Sequence, residues 1–325
     1  MKFLLLICLA FFSLPLAGVE INEGPLRLVL HPRTGHFSLY SVDDAGTAQA
    51  LFYDRDPRTS FLTLIIDNRT FKLGSSSVFR PRLGEDPRNP SIIFESPFMT
   101  VNMSFSFLRS PANQEASGIR INFNLENKSE NPLRAGARFL LDTKLSEETS
   151  GIEFITDKRR IASEAQISQE DSDLFWIDRK GSLSLAGSLA AGSPGGPDRV
   201  HFANWQRFNN ASWRAPFREG RNFNFLPFSI GDSAICYFFE PLILGPGERR
   251  NFHITLAPGG EEIAALIHPL TYLVQGISER ERDLAEIRDI LTRIDLLMAM
   301  PFVDESELSD IEIALAYLRA RYMLR

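Results

Sequence analysis

Strict two-residue alternation is the feature that most limits what this chain can fold into. In FMTVNMSFSFL (98–108), Val101, Met103, Phe105 and Phe107 alternate with polar residues. In IRINFNL (119–125), Ile119, Ile121, Phe123 and Leu125 alternate with Arg120, Asn122 and Asn124. Successive side chains of a strand point to opposite faces, so these runs require sheet with one buried and one wet face, the usual condition of antiparallel pairing.

Shorter runs of the same kind fill the chain from Leu26 to Leu256. LRLVL (26–30) leads through a turn at Pro32 and Gly35 into FSLY (37–40), and FLTLII (61–66) and FKL (71–73) form a hairpin with Asp67-Asn68 at its tip. SIIF (91–94), ARFLLDT (137–143), IEFIT (152–156), VHFANW (200–205), FNFLPFSI (223–230), SAICYFF (233–239) and RRNFHITLA (249–257) read as further strands. Roughly twelve to sixteen strands with no intervening helix predict a mainly-β fold, a large antiparallel β-sandwich of two sheets. The 26 phenylalanines supply the large side chains a thick inter-sheet core needs. LGEDPRNP (83–90) reads as a polar turn and SLSLAGSLAAGSPGGP (182–197) as a mobile loop.

The pattern changes after Pro258-Gly259-Gly260. A weak helix is expected from Glu261 to Gln275, and from Ser278 the residues Leu284, Ile287, Leu291, Ile294 and Met298 recur at helical spacing. Ser278 and Glu281 form a capping box and Pro301 ends the run. Leu308, Ile311, Leu315, Leu318 and Tyr322 repeat the stripe, so the two segments are expected to form an antiparallel helical hairpin. Either the stripes pack on the sandwich, or Leu284, Ile287, Leu291, Ile294, Leu315 and Leu318 form a docking element for a partner or a second copy. At the other end, residues 1–18 have an early Lys2, an apolar run from Phe3 to Phe12 and a small-residue exit at Ala17-Gly18. That is the layout of a signal peptide, too short for a stable transmembrane span. The expected division is a leader (1–18), a sandwich (19–260) and a helical hairpin (261–325), exported to a periplasm or cell surface.

Without the leader one cysteine remains, Cys236, so no internal disulfide forms, and its bulky apolar neighbours predict a buried, inert thiol. The net charge of −6, with both signs dispersed, excludes the basic footprint of a nucleic-acid binder. Asn-x-Ser/Thr sequons begin at Asn68, Asn102, Asn127 and Asn210, which chance explains in a chain rich in Asn and Ser. The five histidines are scattered, with only His31 and His36 near each other across a turn. Two ligands do not make a site, so no metal and no cofactor are expected.

Two carboxylates sit beside strongly apolar runs: Asp142 in ARFLLDTKL and Asp232 in SIGDSAICYFF. Both positions suit side chains that cap turns. Both also suit a catalytic pair, which needs its carboxyls about 5 to 10 Å apart across one bond. The richest surface candidate is ANWQRFNNASWRAPFREGRNFNFLPF (203–228), where Trp205 and Trp213 interleave with Arg207, Arg214, Arg218 and Arg221. Flat aromatic faces with Arg and Asn donors fit sugar rings or a protein partner. The alternative is an aromatic core with a solvated arginine rim.

NPLRAGARFLLDT with its R-x-L-L-D-T strand, the D-S-A turn at Asp232, and the aromatic strand leading to LGPGE resemble exported bacterial β-proteins. HPRTGHFSLY and DPRTSFLTLIIDN add a resemblance to uncharacterised spirochaete periplasmic proteins. More distantly the layout resembles the supersandwich of galactose mutarotase-like proteins and of sandwich domains in polysaccharide-active enzymes. That resemblance implies a sugar groove with a catalytic His and Glu, and no such pair can be placed here. The expectation is therefore a non-enzymatic exported protein acting through envelope protein or glycan contacts. The alternative is a carbohydrate-active or mutarotase-like enzyme using Asp142, Asp232 or a histidine.

Overall fold

The computed structural model describes residues 18–110, 114–149, 151–168, 170–189, 195–224, 227–228, 231–267, 290 and 294. The chain divides into two compact units, Met1–Ile267 and His268–Arg325. All the strands described here belong to the first.

The described residues open with a four-stranded meander, β1 (Val19–Glu23), β2 (Leu26–His31), β3 (His36–Val42) and β4 (Ala48–Ala50). A 3₁₀ turn at Pro57–Thr59 leads into the hairpin β5 (Phe61–Ile66) and β6 (Arg69–Lys72). Asp67 and Asn68 both take positive φ, 46° and 68°, as the two-residue hairpin turn requires. Next come β7 (Arg80–Leu83), β8 (Ser91–Glu95), β9 (Met99–Arg109) and β10 (Ala116–Asn127), then β11 (Leu133–Asp142) and a second 3₁₀ turn, Ser146–Glu148. The remaining strands are β12 (Phe154–Thr156), β13 (Arg160–Ile161), β14 (Ala165–Ser168), β15 (Phe175–Lys180), β16 (Leu183–Ser188), β17 (Arg199–Ala203), β18 (Ala234–Leu244) and β19 (Arg249–Ala257). Helix α1 (Trp205–Asn210) lies between β17 and β18, and α2 (Gly260–Ile267) follows β19.

All pairings are antiparallel. One sheet has nine strands in the order β13-β12-β15-β16-β19-β10-β9-β8-β7, and another has six in the order β14-β17-β18-β11-β5-β6. The alternating runs behave as their period demands: Val101, Met103, Phe105, Ile119, Ile121, Phe123 and Leu125 are buried, while their polar neighbours face away. Phe123 on β10 meets Phe139 on β11 at 5.7 Å between ring centroids, and Phe239 on β18 meets Phe252 on β19 at 4.0 Å, so the two large sheets share one core. Phe37, on the small sheet, stacks on Phe139 at 6.1 Å and meets Phe105 edge-on at 4.9 Å. Three sheets therefore converge on Phe139, where two were expected. Aromatic pairs of this kind are worth about 0.5–1.5 kcal/mol each beyond the area they bury.

Strand β11 is the most buried of the long strands, with apolar cover on both faces. Its inner face carries Phe139 and Leu141 in the main core, while Leu140 joins Phe61, Phe208, Cys236 and Phe238 in a separate apolar cluster on the outer face. The second cover explains why ARFLLD reads as a continuous apolar run. Elsewhere Asn127, fully buried at the end of β10, donates to the carbonyls of Asn131, Leu244 and Gly245, tying two turns together.

Three expectations are corrected. SLSLAGS is not a loop but part of β16, paired with both β15 and β19. VHFANW is a strand only to Ala203; Asn204 accepts from the Gln206 amide and starts α1 instead. The described residues of FNFLPFSI (Phe223, Asn224, Pro227 and Phe228) lie in turns and bends and not in a strand. The expected helix from Glu261 is seen as α2 to Ile267, beyond which it lies outside the described residues. The leader (1–17) and the C-terminal hairpin also lie outside them, including Leu284, Ile287, Leu291, Leu315 and Leu318; Ile294 is described and is helical. Among the described residues no helix is long and apolar enough to cross a membrane.

Candidate functional site

The register of two strands brings distant carboxylates together. β11 and β18 pair with Asp142 opposite Ala234, so the end of one strand and the start of the other meet at the same end of the six-stranded sheet. Asp232, two residues before Ala234, is therefore delivered beside Asp142. The backbone of Asp142 is fixed on both sides: its amide donates to Ser60 Oγ at 2.9 Å, and its carbonyl accepts from the Tyr53 amide at 3.0 Å.

A third carboxylate, Glu147, arrives on the 3₁₀ turn Ser146–Glu148. Its Oε1 accepts twice from Ser233, from the amide at 2.5 Å and from the hydroxyl at 2.7 Å. The Thr143 and Ser233 hydroxyls lie 2.8 Å apart. Because the Ser233 proton is committed to Glu147, Thr143 is the donor in that pair. Asp142, Glu147 and Asp232 each bring one oxygen within 4.8 Å of the others. They line a cleft of about 250 Å³ together with Tyr53, Thr59, Trp205 and Gly231. Trp205 is held to the cleft wall by its indole N–H, which donates to the Thr59 carbonyl at 2.9 Å.

The environment raises the pKa of all three acids. Burial, reinforced by the Asp232 charge and opposed by a hydrogen bond from Thr59, pushes Asp142 up to about 8. Burial likewise pushes Glu147 up to about 8, against the Ser233 hydrogen bonds and with the charges of Asp142 and Asp232 adding to it. Burial alone lifts Asp232 to about 6. At pH 7 the cluster therefore holds protons on Asp142 and Glu147 and its charge on Asp232, the split that separates acid from base in a catalytic carboxylate set. Among the described residues these three are also the one group that could share a cation, and an all-oxygen set suits a hard ion such as calcium.

The Trp/Arg segment is dispersed and does not form one platform. Trp205 reaches the cleft, whereas Trp213 packs edge-on against Phe238 at 5.8 Å in the outer apolar cluster. Arg207 is turned inward: it pairs with the buried Glu164 and donates to the Pro216 carbonyl, and so is unavailable as a surface donor. Arg221 pairs with the same Glu164 at 3.3 Å, and Arg218 gives it a backbone amide at 3.4 Å. His201 also bonds Glu164, at 2.9 Å. Burial alone would raise the Glu164 carboxyl, but His201 and Arg207 hold it below its usual range. Arg214 pairs with Glu240 at 2.7 Å. Arg138, the arginine of R-x-L-L-D-T, is buried beneath the segment and donates to the carbonyls of Phe208, Ala211 and Trp213, closing the end of α1.

Among the described residues no histidine lines the cleft. His31 and His36 sit directly opposite each other across the β2–β3 hairpin, and His36 is buried. Cys236 is buried and its thiol is pushed up to about 12, an inert group. Sequence reasoning singled out Asp142, Asp232 and Trp205 but missed Glu147. The available signal was Ser-Glu-Glu four to six residues after Asp142, a candidate turn at the same strand end.

No family model and no curated protein matches the sequence, so the likeness to exported spirochaete proteins stands on its motif patches alone. Among solved structures, the chain is similar to a galactose mutarotase-like protein from Lactobacillus casei (8% identity, TM-score 0.45, covering 74% of this chain and 99% of that one). It is also similar to a galactose mutarotase related enzyme from Lactobacillus acidophilus (10% identity, TM-score 0.43, 75% and 97%). A third is an alpha-N-acetylgalactosaminidase from Bifidobacterium bifidum (12% identity, TM-score 0.44, 86% of this chain and 42% of that one).

Proposed function

We propose that the cleft is a general acid–base site acting at the anomeric centre of a carbohydrate. The observation that carries this reading is the convergence of Asp142, Glu147 and Asp232 within 4.8 Å in one aromatic-walled cleft. Tyr53 and Trp205 offer faces to the CH surface of a sugar ring, and the carboxyls offer partners to its hydroxyls. Asp232, ionised at neutral pH, is the base that takes the hydroxyl proton. Glu147 is the acid; with Oε1 occupied by two Ser233 donors, its proton sits on Oε2. In a free aldose, proton gain at the ring oxygen and proton loss from the anomeric hydroxyl break the ring C–O bond and leave the open aldehyde. The oxygens lie closer together than the roughly 6.5–9.5 Å gap that inverting hydrolysis needs to admit a water. The leader-like N-terminus would bring such a site to envelope glycans, and the C-terminal helical stripe remains the proposed element of assembly.

The test is polarimetry of freshly dissolved aldoses, with nitrophenyl glycosides of both anomers in parallel. The wild type should accelerate one class, and Asp232→Asn or Glu147→Gln should each remove about 10²–10⁴-fold of the effect. Absence of turnover together with no perturbation of the Trp205 indole resonance by any sugar would overturn the reading. Binding without turnover, unchanged by Asp232→Asn, would instead assign a non-catalytic glycan-binding role, which the half-buried Trp205 in the wall also favours.

A further inference from the structure

The turn that carries Glu147 has no cap of its own. Its N-terminal flanking residue is Leu145, whose side chain accepts nothing, so the first amides of the turn find no acceptor there. Both donate to Asp178, on β15 of the nine-stranded sheet: Leu145 N–H to Oδ2 at 3.0 Å and Ser146 N–H to Oδ1 at 2.8 Å. Asp178 is fully buried, and its own backbone is fixed in the β15–β16 hairpin opposite Leu185.

We propose that Asp178 is a positioning residue of the cleft, supplying from the facing sheet the cap that its turn lacks and so fixing where Glu147 enters the site. This rests on the acid–base reading above. Both carboxylate oxygens are spent on consecutive amides of one turn, and among the described residues no cation pairs with Asp178 to offset its burial. An apolar side chain would fill the space at lower desolvation cost, so the acceptor geometry is what the position requires. The turn is thereby held at two points: the amides of Leu145 and Ser146, just before Glu147, by Asp178 of the nine-stranded sheet, and the Glu147 carboxyl by Ser233, the residue before β18 of the six-stranded sheet. Asp178→Asn keeps the size but sets an NH₂ group against a backbone N–H, and Asp178→Ser keeps a single acceptor.

The Glu147 carboxyl resonance, assigned by its loss in Glu147→Gln, is followed by ¹³C NMR against pH with a chelator present. In Asp178→Asn and Asp178→Ser, its midpoint should fall by at least one pH unit toward the ordinary glutamate range, with cooperative unfolding retained. A folded variant whose Glu147 midpoint stays within a few tenths of wild type overturns the proposal. Amide hydrogen exchange in the unmodified protein covers the case in which neither variant folds. Leu145 and Ser146 should exchange at least tenfold more slowly than Thr149 of the same turn, and equal rates would overturn the proposal equally. A wild-type Glu147 that titrates in the ordinary range would instead sink the acid–base reading itself.

Discussion

Asp142 pays for its position in stability, and the sign of that effect can be worked out. Its folded pKa lies near 8, well above the unfolded carboxylate value, so the folded state holds the proton more tightly. The resulting stabilisation is fully present below about pH 4 and is lost as pH rises through about 8. Asp142→Asn should therefore raise stability at pH 8, by up to about 5 kcal/mol, and change it little at pH 4, as read from urea midpoints at the two values. His36 works in the opposite direction. It is buried, and burial, with the charges of Lys72 and His31 adding and Asp56 and the Thr34 backbone opposing, lowers it to about 4. The unfolded chain binds that proton first, so stability should fall between pH 6.5 and 4 by on the order of 2 kcal/mol. A His36→Leu variant that keeps the full slope would show that other groups produce it.

At the scale of elements, the segment from Asn204 to Asn224 is held by what lies beneath it. Glu164 neutralises Arg207 and Arg221 and bonds His201, and Arg138 donates to the carbonyls at the end of α1. Removing one partner of a buried pair leaves an uncompensated charge. Glu164→Ala should cost about 3–5 kcal/mol and open this segment to proteolysis before the sheets unfold, as limited digestion would show. The sequence leaves the segment open between a recognition surface and an aromatic core for a physical reason. Arginines and aromatics look alike whether they face water or a buried acid, and the acid that decides, Glu164, lies far upstream in ASEA. Strands with period-two alternation were legible because burial on one face leaves its record residue by residue. β16 was not, because SLSLAGS is built from small residues that fit between β15 and β19 and resemble a loop in composition.

For the whole molecule, the decisive ring is Phe139. It lies where the three sheets meet, close to Phe37 and Phe123. Phe139→Ala should cost about 3–5 kcal/mol and lower the unfolding midpoint of all three sheets together. Separate transitions by near-ultraviolet and far-ultraviolet circular dichroism would contradict a single shared core. The convergence of Asp142 and Asp232 belongs to this scale as well. Each aspartate is visible beside its strand, but only the β11–β18 register makes them neighbours, and pairing partners so distant in sequence leave no local trace.

Asn127 bears on how the protein can be made. Its amide is spent on three backbone carbonyls inside the fold, yet the tripeptide Asn127-Lys128-Ser129 is a substrate for the oligosaccharyltransferase that acts on nascent chains in eukaryotic secretion. A sugar attached there before folding could not be buried, and the two turns joined by Asn127 could not close. Secretion from yeast or mammalian cells should therefore give poorly folded, glycan-bearing material that Ser129→Ala rescues, whereas a bacterial host should need no such change.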